Sequence, residues 1–157
     1  MGTEESAEQR IRELGLELPP APSPLGAYVP AVQTGNLLFL SGMLPIRGHE
    51  ALVVGRLGAE IDTDRAREAT RAATLNALAA AKRHLGSLDR VRKVVRLGVS
   101  IATAGDVRDH PRVADAASEL LRDVFGADKV STRLVFGVAS LPLGMPVELE
   151  IIFEVAP

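Results

Sequence analysis

The side chains best placed to do chemistry lie in the last quarter of the chain. Over about Arg133–Ala139 the residues alternate as a strand: Val135 and Gly137 share the face of Arg133, and Leu134, Phe136 and Val138 take the other. A last strand over Pro146–Val155 alternates more strictly. Val147, Leu149, Ile151, Phe153 and Val155 make an apolar face, and Glu148, Glu150 and Glu154 face away. Glu148 and Glu150 have two readings. One is a solvated outer face, ordinary in antiparallel sheets; the other is a carboxylate held rigidly beside a substrate. The pattern alone favours the solvated face. If the two strands form a hairpin centred near Leu143, Arg133 falls opposite Phe153, and Glu148 lies roughly 17 Å further along. A site using both residues then forms between subunits.

Other candidates are weaker. His49 sits in a loop beside Glu50, His84 at a helix end and His110 at a helix start, and none has a partner at zinc-motif spacing. Gly55-Arg56-Leu57-Gly58 lacks the lysine and the length of a phosphate loop, and no G-x-S-x-G elbow occurs. Arg90, Arg92, Lys93 and Arg96 form one basic run, which reads as a solvated strand edge because no aromatic residue accompanies it.

Composition narrows the classes further. There is no cysteine, which excludes disulfides, thiolate metal sites and a cysteine nucleophile. Eighteen Lys+Arg against twenty Asp+Glu leave a net charge of −2, without the basic excess that nucleic-acid backbones require. Aromatic residues are only 3%, so base stacking is disfavoured and the core must be aliphatic and rich in alanine. No apolar run approaches the roughly 20 residues of a membrane span, and the acidic start does not read as a leader peptide. The expectation is a soluble, cytoplasmic protein of 157 residues with one core.

These residues need elements to position them. A short helix over about Glu4–Leu14 and the Pro-rich stretch to Pro24 form an arm, residues 1–24; the main domain is 25–157. Strands are predicted at Tyr28–Gln33 and Asn36–Ser41 around a turn at Thr34-Gly35. The second, Leu37–Leu40, is apolar throughout and reads as buried on both faces. Val53-Val54 reads as a short strand. A long Ala-lined helix starts at Asp62 or Thr63 and stops at Gly86. A strand within Val91–Thr103 alternates at Val95, Leu97, Val99 and Ile101. A helix opened by Asp109-His110-Pro111 buries Val113, Ala117, Leu120, Leu121 and Val124. The order implies an α+β mixed sheet with two main helices on one face. The other face, with its aliphatic residues, calls for self-association.

Three stretches carry a family resemblance: Gly26-Ala27-Tyr28-Val29-Pro30-Ala31-Val32, then Gly35-Asn36-Leu37-Leu38-Phe39-Leu40-Ser41-Gly42, then Arg133 through Glu150 with Leu141-Pro142-Leu143-Gly144 and Val147-Glu148-Leu149-Glu150. Over about Leu25–Val155 the chain resembles the reactive-intermediate deaminase family, also called the YjgF or Rid family (endoribonuclease L-PSP-like), in a longer subgroup. The resemblance implies a chorismate-mutase-like fold, a homotrimer with clefts between subunits, and hydrolysis of an enamine or imine such as 2-aminoacrylate to a 2-keto acid and ammonia without cofactor or metal. It assigns the substrate carboxylate to Arg133, whose fork gives two parallel charged hydrogen bonds. It assigns the water to Glu148, the pocket wall to Tyr28, and backbone contacts to Ser41, Gly42 and Val135. The implied partner is a small carboxylate metabolite, with no membrane and no nucleic acid. Val135 stands where the deaminase branch has cysteine, Met43 where glutamine often follows Ser-Gly, and Asp115 or Ala116 where it has asparagine. In the pocket Asp115 would repel a carboxylate. A noncatalytic binder of 2-keto acids on the same fold is the alternative; a ribonuclease or translation inhibitor ranks below both.

Overall fold

The computed structural model describes residues 5–157. Helix α1 covers Ala7–Glu13, with the Ser6 hydroxyl capping it by accepting the Gln9 N–H; the expected start at Glu4 lies outside the described residues. Strands β1 (Ala31–Thr34) and β2 (Leu37–Leu40) form a hairpin. Its two-residue loop puts Gly35 at φ 58°, a conformation an L side chain resists. A small hairpin of β3 (Ile46–Arg47) and β4 (Glu50–Ala51) follows, and Val53-Val54, expected as a strand, is not one.

Helix α2 runs Thr63–Leu85, capped by the Asp62 carboxylate on the Arg65 N–H and ended by Gly86 at φ 85°. Its alanines 66, 69, 73, 77 and 80 are buried, so the helix lies close on the sheet. Strand β5 is Val91–Ala102, helix α3 His110–Phe125, β6 Thr132–Val138 and β7 Val147–Val155. The five long strands form one mixed sheet in the order β1-β2-β7-β5-β6, with β5 and β6 parallel and the other pairs antiparallel.

Three expectations need correction. Strands β6 and β7 are not a hairpin. The β5-α3-β6 unit is a parallel crossover, which places β6 outside β5, and β7 instead fills the gap between β2 and β5. The loop of Leu141–Gly144 spans this separation rather than turning a tight corner, and holds Leu143 at φ 56°. Strand β2 is buried on one face only. Leu38 and Leu40 enter the core, whereas Phe39 is 38% exposed. On β5, Val95 is exposed, because irregular pairing between Val94 and Arg96 shifts the alternation; the buried set is Val91, Val94, Leu97, Val99 and Ile101.

Helices α2 and α3 cover one face of the sheet, where Leu38, Leu97, Val99, Leu149, Ile151 and Phe153 join their apolar sides in a single core. Phe125 of α3 meets Phe153 of β7 edge to face at 5.9 Å between ring centres. Among the described residues no helix covers the opposite face. Strand register puts Phe136, Ser100 and Glu148 in one row across it and Leu134, Gly98 and Glu150 in the next. Phe136 is 55% and Leu134 45% exposed. The arm docks at the far end of α2. The Glu8 carboxylate accepts from the Leu88 N–H at 2.9 Å and from Lys82 at 3.0 Å, and Ala7 and Ile11 are buried.

Candidate functional site

Glu148 enters the open face because strict alternation on β7 sends its neighbours Val147 and Leu149 into the core. Beside it the chain leaves β2 at Ser41-Gly42, and Met43 and Leu149 exchange both backbone hydrogen bonds at 2.8 Å, fixing that crossing. Gly42 is there for space: a Cβ at this position would lie 2.2 Å from Glu148 Oε1. The carboxyl faces a cavity of about 410 Å³ bordered by Gly42, Arg96, Ser100, Phe136 and Glu150. Burial alone pushes the Glu148 carboxyl above the usual carboxylate range, since among the described residues no cation or hydrogen-bond donor compensates its charge. Arg96 Nε lies 3.6 Å from Glu150 Oε1, and that buried Nε has no hydrogen-bond partner among the described residues.

Tyr28 belongs to the same end of the sheet. It lines a narrow cleft with Pro22, Pro24, Ser41, Gly42 and Leu44, so Gly42 borders both this cleft and the cavity of Glu148. The Tyr28 hydroxyl accepts the Leu25 N–H at 3.0 Å and keeps its own proton to donate. The Ser41 hydroxyl is spent on the fold, donating to the Val29 carbonyl at 2.6 Å. The floor of the cleft is held from α2, where buried Asn76 donates to the Leu44 and Ile46 carbonyls at 2.8 and 2.9 Å. No apolar pattern announces Asn76; only its position among the alanines of a buried helix face marks it.

Arg133 and Val135 are not with these residues. They lie on β6, two strands from β7, and Arg133 turns to the helix side of the sheet. There its Nη1 donates to Asp115 Oδ1 at 2.7 Å and to Ser118 Oγ at 3.2 Å, both on α3. Within one chain, Arg133 and Glu148 therefore occupy opposite faces. The expected separation stands, but the cause is β5 between the strands rather than distance along a hairpin. The sequence does not mark Arg96, Ser100 and Phe136 as lining residues: alternation gives their face on β5 and β6, but only the register of β6, β5 and β7 brings them beside Glu148.

The histidines lie apart. His84 Nε2 meets Gln33 Oε1 at 3.0 Å, and the His110 ring packs where Gly137 has no side chain. Among the described residues no three His, Asp or Glu side chains converge as metal ligands, and no helix is long and apolar enough to cross a membrane.

A mixed five-stranded sheet with two long helices on one face, and an acidic side chain set in the open face, defines a chorismate-mutase-like α+β protein. Residues 8–154 match the family described as "YjgF/chorismate_mutase-like, putative endoribonuclease", and the chain belongs to that family. It is 35% identical over 145 residues to Protein TCP17 of Trypanosoma cruzi, covering 92% of this chain and 91% of the other. It is 30% identical over 137 residues to the 2-iminobutanoate/2-iminopropanoate deaminase of Dermatophagoides farinae, covering 86% and 91%. A crystal structure from Shewanella oneidensis MR-1, described as a "putative endoribonuclease", superposes with a TM-score of 0.91 at 32% identity, covering 96% of this chain and all of that one.

Proposed function

We propose that the protein hydrolyses small 2-imino acids, or the enamines that form them, to 2-keto acids and ammonia at clefts between the subunits of a homotrimer. The observation that carries this reading is Glu148: a half-buried carboxyl beside a cavity, with its affinity for a proton raised and no counter-charge of its own. A carboxyl whose proton affinity is raised is a stronger base than an ordinary carboxylate, and can return the proton it takes. Water adds to the imine carbon as Glu148 accepts its proton, and the C=N π pair moves onto nitrogen. Glu148 then returns its proton to the carbinolamine nitrogen; the O–H bond pair forms the carbonyl as the C–N bond breaks, and the hydroxyl proton passes to the departing nitrogen, which leaves as ammonia. The free proton of the Tyr28 hydroxyl suits it to orient the ligand.

In this reading Arg133 and Val135 come from the neighbouring subunit, because their own chain places them behind the sheet. The uncovered apolar residues of the open face support such an assembly. The likeness to the mite deaminase supports the reaction. A second reading, binding without turnover, uses the same Arg133 but does not need Glu148.

The test is ammonia release from 2-aminoacrylate generated in situ. The wild type is expected to exceed the spontaneous rate, and Glu148→Ala to lose at least about a hundredfold of that excess. A wild-type rate equal to the spontaneous one overturns turnover and leaves binding.

A further inference from the structure

The ion pair at Arg133 bears on which ligand this end of the cleft accepts. Resting on the proposed reading, in which Arg133 lies in the cleft, we propose that Asp115 is a specificity-determining residue. It makes the cleft prefer a ligand with a protonated nitrogen beside its carboxylate over the corresponding anionic 2-keto acid.

The guanidinium is held through one nitrogen. Nη1 donates to both Asp115 Oδ1 and Ser118 Oγ, whereas Nε and Nη2 have no hydrogen-bond partner among the described residues. The edge formed by Nε and Nη2 is the one that matches a carboxylate with two parallel bonds, so the capacity for a carboxylate survives the ion pair. What changes is the charge. Asp115 cancels the positive charge of Arg133, and its Oδ2 also lacks a hydrogen-bond partner among the described residues. A bare anion meets attraction and repulsion together. A ligand with carboxylate and cationic nitrogen on adjacent carbons finds a complement for both.

A 2-imino acid protonated on nitrogen has this zwitterionic form. It is also the form most open to attack by water, because its nitrogen already carries the charge that the C=N electron pair will neutralise. The 2-keto acid product has lost that nitrogen and bears only negative charge. The same aspartate therefore holds the substrate and loosens the product. Asp115 does this from α3, a helix that the chemistry does not otherwise use, and it lies on one helix face with Ser118, three residues on.

The experiment is calorimetric titration of the full chain with two ligands of one carbon skeleton, L-2-aminobutanoate (zwitterionic) and 2-oxobutanoate (anionic). The wild type is expected to bind the amino acid more tightly. Asp115→Asn, close in shape, is expected to reverse the order, tightening 2-oxobutanoate by about tenfold and weakening the amino acid. An unchanged ratio of affinities in Asp115→Asn, with both ligands lost in Arg133→Ala, overturns the role of Asp115 alone. If Arg133→Ala binds both ligands as the wild type does, or the wild type binds neither, the placement of Arg133 in the cleft falls and the role of Asp115 falls with it.

Discussion

A carboxyl that is shielded from water without a compensating cation costs stability once it ionises, and Glu148 is such a group. Its folded pKa lies above its unfolded value, so the unfolded state loses its proton first as pH rises. Stability is highest below the ordinary glutamate range and falls through the window up to the raised folded value. Glu148→Gln removes the charge and is expected to match or exceed wild-type stability at pH 7, by up to about 1 kcal/mol, with the gap vanishing near pH 4. Denaturant melts at the two pH values check it; a variant less stable than wild type at pH 7 would contradict the cause assigned here. Gly42 gives a second test. Gly42→Ala is expected to cost about 0.5–1.5 kcal/mol, because the methyl would overlap the Glu148 carboxyl and push that flexible side chain off its rotamer. In a Glu148→Ala background most of that cost should disappear, which a double-mutant cycle measures directly.

At the scale of elements, the Glu8 carboxylate ties α1 to α2 and Leu88, beside the buried Ala7 and Ile11. Burial pushes the Glu8 carboxyl upward, but the Leu88 N–H and Lys82 pull it further down, leaving it below the usual range. The stability it contributes is present above the ordinary glutamate pKa and is lost as pH falls through the lowered folded value. Glu8→Gln is therefore expected to cost about 1–2 kcal/mol at pH 7 and progressively less in acid, read from thermal melts across pH. Most elements were legible in the chain: the Asp62 cap, the alanine stripe of α2 and the alternation of β7 each state their own geometry. The pairing of β6 was not. Two strands joined by a short loop read as a hairpin, and only the parallel crossover through α3 reserves the edge beside β5 for β6. The site was legible to the same extent. Glu148 stands out by alternation, and Tyr28, Ser41 and Gly42 through resemblance; the partners that set the state of Arg133, Asp115 and Ser118, are tertiary neighbours that no local pattern pairs with it.

For the molecule as a whole, one face of the sheet is finished and the other is not. Helices α2 and α3 seal the first, while Val32, Phe39, Leu134 and Phe136 leave apolar surface on the second. Under the proposed assembly, Phe136→Glu is expected to turn a trimer into a monomer by light scattering while circular dichroism stays unchanged. A monomeric wild type would sink the shared cleft.

The position of β7 has a consequence for biosynthesis. The β1-β2 pair and the β5-β6 pair are joined in the sheet only through this strand, and its nine residues follow all the strands they join. A nascent polypeptide holds two separate strand pairs with uncovered apolar faces until this strand has been made. The sheet then closes at its centre rather than at an edge. A deletion of this one segment removes the middle of the fold.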